Sequence, residues 1–216
     1  KIVNENKITV LANGSISGIN FNKFKKNPLS RSILRSRLSI LEDTIVILFL
    51  GRLNIDKGIV DLIDAYKNIL SLKHKINLQL LIVGPDEINI SNKSSESIHF
   101  EPYTDRPEEF MSASDIFCLP SYREGFGMSA VEAGACELPV VSSRIYGLTD
   151  AVEENVTGLM HEPGNIKQLE ECLRKLIDSP KLRVEMGIKA RTRSIKLFDQ
   201  KEVVNNFTSF IDNALL

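Results

Sequence analysis

The chain has no long hydrophobic run. Of its 216 residues 43% are apolar, yet no uninterrupted stretch reaches the roughly 18 apolar side chains needed to span a bilayer. It also lacks an excess of either charge: 27 lysines and arginines against 28 acids leave a formal charge of -1. No global positive field therefore gathers nucleic acid by counterion release, and nucleic acid is not an expected partner. Cysteine is scarce and odd in number. Cys118, Cys136 and Cys172 sit in apolar segments rather than at metal-ligand spacing and read as buried, reduced thiols. His74, His99 and His161 are scattered, with no HExxH arrangement, and there is neither a GxxxxGK[ST] loop nor a GxSxG elbow. Metal sites and nucleophilic catalysis through these residues are unsupported, and no metal is expected. No leader segment is visible, and a cytoplasmic location is expected.

What is present is enough apolar sequence for one sizeable domain, or a domain and a small appendage, without disulfide or metal staples. The segment 1–42 reads as a linker with one possible strand at Ile8 to Ala12 and helical period only from Ile33. Thr44 to Leu50 is a continuous apolar, β-rich run ending at Gly51, as expected of a strand buried on both faces. Ile59, Leu62, Ile63, Tyr66, Ile69 and Leu70 then mark one face of a helix over Lys57 to Leu72. Further strands are predicted at Leu78 to Val83, Ile98 to Phe100, Asp115 to Leu119, Pro139 to Ser142 and Thr157 to His161. Helices are predicted at Pro107 to Ser112, Gly127 to Cys136 and Ile166 to Ile177, the last capped by Asn165, with two more from Pro180 onward. The alternation predicts an α/β fold: a Rossmann-like, doubly wound parallel sheet with helices on both faces.

In such a sheet ligands bind at the carboxyl ends of the strands. Two loops there carry chemistry. Gly51-Arg52 closes one strand and Lys57-Gly58 opens the next helix, offering a guanidinium fork and an ammonium that suit a diphosphate, although basic loop residues are also commonly just solvated. The second loop, Leu119 to Glu132, holds Glu124-Gly125-Phe126-Gly127 ahead of a helix whose positive end would welcome phosphate. Glu132 lies further down that helix, and an ionised carboxylate accepts from hydroxyls, so it fits a sugar or ribose diol, or else merely stabilises the helix. Gly125, Gly127 and Ala130, with Arg144 following, imitate a dinucleotide fingerprint of the NADP kind, but Ser121 to Glu124 separate the first glycine from the strand. Lys23, Lys25, Lys26, Arg31, Arg35 and Arg37 lie in a window without acids from Asn6 to Leu41, which fits a solvated helix face, a domain seam, or contact with an anionic membrane surface.

Taken in order, Asn13-Gly14-Ser15, Gly51-Arg52, Lys57-Gly58, Val83-Gly84-Pro85, Asp115, Leu119-Pro120-Ser121, Glu124-Gly125-Phe126-Gly127, Glu132-Ala133, Leu138 to Val141, Gly158-Leu159 and Pro163-Gly164-Asn165 resemble the group 1 (family 4) glycosyltransferases over essentially the whole chain. The closest resemblance is to the branch that assembles bacterial capsular and exopolysaccharide units. It implies a retaining hexosyltransferase of the GT-B architecture, of which this chain is the C-terminal, donor-binding lobe. On that pattern residues 1–42 hold the interdomain linker with the first strand and helix. Residues 43–198 form the nucleotide-sugar domain, residues 199–216 are a helix crossing back to the N-terminal lobe, and the acceptor lobe itself is absent.

The resemblance also implies roles. Arg52 and Lys57 neutralise the diphosphate, with Gly51 beside them, and Glu124 contacts the transferred sugar. Gly125, Phe126, Gly127 and Met128 line the phosphate or sugar, Glu132 grips the ribose, and Phe100 to Tyr103 border the base. The implied donor is a nucleotide-diphosphate sugar, UDP first, with no metal or other cofactor. The implied partners are the N-terminal lobe and a lipid-linked saccharide acceptor, with peripheral contact at the inner face of the plasma membrane. Glu101-Pro102 departs from the family's usual glycine after that strand, and Tyr146 to Asp150 departs from its double glycine and glutamate.

Overall fold

The computed structural model describes residues 8–72 and 76–215. Six parallel strands form one sheet: β1 (Ile45–Leu50), β2 (Leu78–Val83), β3 (Ile98–Glu101), β4 (Ile116–Leu119), β5 (Val140–Ser143) and β6 (Gly158–His161). Their order across the sheet is β3-β2-β1-β4-β5-β6. The two central strands, β1 and β4, are apolar along their whole length because both faces are covered, and Val46, Ile47, Leu48 and Phe49 are fully buried. On one side α2 (Ile59–Leu72) packs against α6 (Ile166–Asp178). On the other lie α3 (Pro107–Ala113) and α4 (Met128–Ala135), backed by α1 (Pro28–Arg37) and α7 (Pro180–Leu197) respectively. A one-turn helix, α5 (Leu148–Ala151), precedes β6, and α8 (Gln200–Leu215) ends the chain. The doubly wound α/β sheet expected from the alternation is the fold observed.

Most element bounds agree within two residues, and β2 agrees at both ends. The differences lie before β1. Residues Ile8 to Leu11 form no strand, and Ala12–Gly14 is a single 3-10 turn. The helix read as starting at Ile33 begins five residues earlier. Asn27 caps it through its side chain, accepting from the Leu29 and Ser30 amides, and Pro28 opens it. Its inward face carries Leu34 and a fully buried arginine, Arg35, so an apolar count does not see it. Arg35 donates to the carbonyls of Ala113, Leu41, Glu42 and Thr44 and pairs with Asp115.

Four other basic residues of this window are paired in the same region. Lys23 pairs with Glu108, Lys26 with Glu137, Arg31 with Asp115 and Arg37 with Glu101. These pairings make the run, in large part, a seam between α1, its approach and the sheet domain. Upstream, the Ile19 amide donates to the Phe198 carbonyl and the Gln200 amide to that of Ile19, tying this segment to the α7–α8 junction.

All three thiols are free and buried, and burial pushes Cys136 up to about 12. Among the described residues no cluster could hold a metal ion, and no helix is long and apolar enough to cross a membrane. His99 and His161 are separate from the loops above the sheet's centre, and His74 lies outside the described residues.

Candidate functional site

The strand order reverses between β1 and β4, so the chain leaves these two neighbouring strands toward opposite faces and their carboxyl ends open a crevice. The loop 51–58 after β1 and the loop 120–127 after β4 meet there. They touch closely: Gly58 has φ +67, and a Cβ on it would lie 2.0 Å from the Pro120 carbonyl oxygen. The Tyr122 amide donates to the Asp56 carbonyl at 2.8 Å, and the Tyr122 hydroxyl donates to Asp61 at 2.6 Å.

This contact brings Lys57 and Glu124 together, 2.5 Å apart. Ser121 Oγ donates to the same Glu124 oxygen at 2.9 Å, so the carboxylate is held from two sides. Arg52, Asp56, Lys57, Arg123, Glu124 and Gly125 line a cleft of about 480 Å³. Gly125 faces open space, with nothing within 4 Å of where a Cβ would stand. Beyond Gly127 the helix α4 begins. Its first turn bond runs from the Ala130 amide to the Gly127 carbonyl, leaving the Met128 and Ser129 amides without an intrahelical acceptor. Those amides give the loop a partial positive charge.

Arg52 lies at the rim between this cleft and a second, apolar hollow of about 360 Å³ lined by Leu50, Gly51, Val83, Gly84, Pro85, Tyr103 and Thr104. Its guanidinium is 63% exposed and pairs with Glu87 at 3.4 Å. Tyr103 is exposed at the mouth of the hollow, whereas Phe100 is half-buried within β3, paired in register with Ile82. Glu132 sits half-buried on α4. Burial pushes its carboxyl up to about 7, with Lys23 pulling it down and Glu108 pushing it further up.

Gly51, Arg52, Lys57, Tyr103, Glu124 and Gly125 thus share one connected crevice. Phe100 and Glu132, also expected there, line neither the cleft nor the hollow, and at Phe126 and Met128, where the expected contribution is the backbone amide, the side chains face elsewhere. The Phe126 ring stacks edge-on against Phe198 at 5.4 Å and abuts Gly14, and the Met128 sulfur accepts from Ser15 Oγ at 3.5 Å. Both side chains fasten the upstream segment and the α7–α8 junction to the loop, because the helix start turns them away from the cleft. Gly127, at φ +70, supplies the left-handed turn that starts α4, where a Cβ would strike Leu148. Arg144, the counterpart in the dinucleotide-like spacing, is held by both Glu154 and Glu162. Asp56, Arg123, Asn54 and Glu87 also belong to the site and escaped the sequence reading. Asn54 carried a signal, as a capping residue three positions before Lys57. Glu87 carried none, since only the Leu53–Asp86 bridge brings its loop alongside.

The sequence profile described as Glycosyl transferases group 1 matches residues 30–193. The capsular polysaccharide biosynthesis glycosyltransferase CapM of Staphylococcus aureus is 33% identical over 223 residues, covering 99% of this chain and 57% of that protein. The N,N'-diacetylbacillosaminyl-diphospho-undecaprenol alpha-1,3-N-acetylgalactosaminyltransferase of Campylobacter jejuni is 28% identical, covering 98% of this chain and 56% of that protein. This chain therefore spans a little over half the length of these curated relatives. HepE of Anabaena, solved in complex with UDP and glucose, shares the fold at a TM-score of 0.80, with 22% identity over 90% of this chain and 55% of that one. A profile match running from α1 through α7, over the crevice that joins Lys57 to Glu124, places this chain in the group 1 glycosyl transferase family.

Proposed function

We propose that this chain is the donor-binding lobe of a retaining glycosyltransferase that moves a hexosyl residue from a nucleotide-diphosphate sugar, UDP-linked, to a lipid-linked saccharide in bacterial surface polysaccharide assembly. The observation that carries the reading is the Lys57–Glu124 pair, set at the strand-order reversal between a polar cleft and an apolar hollow. The hollow beside Tyr103 suits a planar base. Arg52, Lys57 and the amides at the start of α4 suit the diphosphate, and Glu132 suits the ribose hydroxyls. Glu124 then stands next to the transferred sugar. The names of CapM, of the Campylobacter enzyme and of HepE support the capsule, the lipid-linked acceptor and UDP, in that order.

Charge builds on the departing diphosphate as the bond from the anomeric carbon to the phosphate oxygen breaks. Fixed cations and helix-end amides stabilise that charge more in the transition state than in the ground state. The acceptor oxygen forms the new bond on the same face, and its proton passes to the leaving phosphate. Glu124 opposes the positive charge that develops on the sugar ring. The acceptor site and the rest of the catalytic cleft belong to a second lobe of the polypeptide.

Titration calorimetry of the chain with UDP, GDP, ADP and NADP tests this reading. Binding of one nucleoside diphosphate, weakened about tenfold or more by Arg52→Ala and by Glu132→Ala, is the expected result. Binding of NADP alone would overturn it, an outcome disfavoured by the two glutamates already on Arg144.

A further inference from the structure

We propose that Asn54, anchored by Glu87, is a positioning residue that fixes Arg52 and Lys57 relative to each other, so that the two cations meet one diphosphate as a preset pair. The inference rests on the donor-site reading above and adds to it residues that touch neither base nor sugar. Asn54 stands between the two cations in the loop and uses both ends of its amide. Its Oδ1 accepts from the Lys57 backbone N–H at 3.1 Å, capping the 3-10 turn Ile55–Lys57 that aims Lys57 at Glu124. Its Nδ2 donates to Glu87 Oε2 at 2.8 Å, while the other oxygen of the same carboxylate accepts from Arg52 at 3.4 Å. One carboxylate and one amide thus join the guanidinium to the turn that carries the ammonium.

The anchor is itself rigidly built. The Leu53 amide donates to the Pro85 carbonyl and the Glu87 amide to the Leu53 carbonyl, which extends the β1–β2 pairing past the strand ends. Asp86 next to it accepts from the amides of Ile88, Ile90 and Ser91, and these bonds hold its carboxyl down at about 2 despite an opposing desolvation contribution. Two long, flexible cations are otherwise costly to hold at a set separation, since each gives up rotamer freedom when a ligand orders it. A loop held in advance lowers that cost.

The test compares Asn54→Ala, Glu87→Ala and Glu87→Gln with the unaltered chain. It uses UDP by calorimetry, uridine by NMR titration, and hydrogen exchange at the Lys57 amide without ligand. Both alanine variants are expected to weaken UDP about fivefold or more, the equilibrium effect of losing one cap, and to speed exchange at Lys57, with uridine affinity unchanged. Glu87→Gln keeps one acceptor for Asn54 Nδ2 but turns an NH2 toward Arg52, so it should restore slow exchange at Lys57 while recovering only part of the UDP affinity. If uridine weakens by the same factor as UDP, the effect is general loosening and the proposal fails. It fails too if Asn54→Ala binds UDP as tightly as the unaltered chain. An unaltered chain that binds no nucleoside diphosphate removes the donor-site reading and this inference together. Unaltered binding with indifferent variants removes only the latter.

Discussion

Lys57 and Glu124 are 67 positions apart in sequence, and their side chains meet at 2.5 Å with both largely buried. The carboxylate already neutralises the ammonium, so on the donor-site reading a diphosphate at Lys57 competes with Glu124 for the same charge. Glu124→Gln keeps an oxygen for Ser121 Oγ and releases Lys57. We expect UDP affinity of this variant to hold or rise in calorimetry, while transfer by the full polypeptide falls at least a hundredfold. Lys57→Met should do the reverse to binding, lowering UDP affinity about tenfold.

Glu132 should make both stability and donor binding depend on pH. Its folded-state value of about 7 lies above the ordinary 4.5, so the native state holds the proton more tightly. Stability is unaffected by this group below about pH 4.5, falls from there to about pH 7 as the unfolded chain gives up a proton that the native state keeps, and levels off above, where both are ionised. On the donor-site reading the ionised carboxylate accepts from the ribose hydroxyls, so UDP affinity should rise as pH passes through about 7. Glu132→Gln should flatten both profiles, read by thermal melting and by calorimetry from pH 5.5 to 8.5.

Arg35 donates to four carbonyls and an aspartate with 2% of its surface exposed. Arg35→Leu leaves those acceptors unpaired in the seam under α1, and urea unfolding should show a loss of about 3–5 kcal/mol. Lysine cannot reproduce the fork, so Arg35→Lys should recover little of it.

Gly58 lies where the two loops touch backbone to backbone. Gly58→Ala adds strain at positive φ and drives a methyl into the Pro120 carbonyl. A stability loss above about 1 kcal/mol is expected in urea unfolding, together with weakened UDP binding as Lys57 is displaced.

The strands and amphipathic helices were legible because their signals are local. Leu78–Val83 is an apolar run stopped by Gly84-Pro85, and Asn165 caps α6 through a bond to the Gln168 amide. The start of α1 was not, because its buried face is built on an arginine whose partners lie as far away as Asp115. Arg52, Lys57 and Glu124 stood out by charge and glycine context. Phe126 and Met128 belonged to the same run of sequence, and only the turn at Gly127 and the position of Phe198 show that they face the seam. Glu87 becomes visible once β1 and β2 extend their pairing into the following loops.

The order β3-β2-β1-β4-β5-β6 sets Lys57 and Glu124 in the loops that follow the two middle strands, while the apolar hollow is walled by the ends of β1 and β2 and by the loop after β3. On the donor-lobe reading, base recognition and reaction are thereby separable under mutation. Lengthening or recolouring the loop after β3, as at Glu101-Pro102, alters an outer edge of the sheet without shifting the central pair. On the donor-lobe reading proposed above, a lineage built on this plan can exchange one nucleotide carrier for another by editing its periphery, keeping the Lys57–Glu124 pair intact through each intermediate.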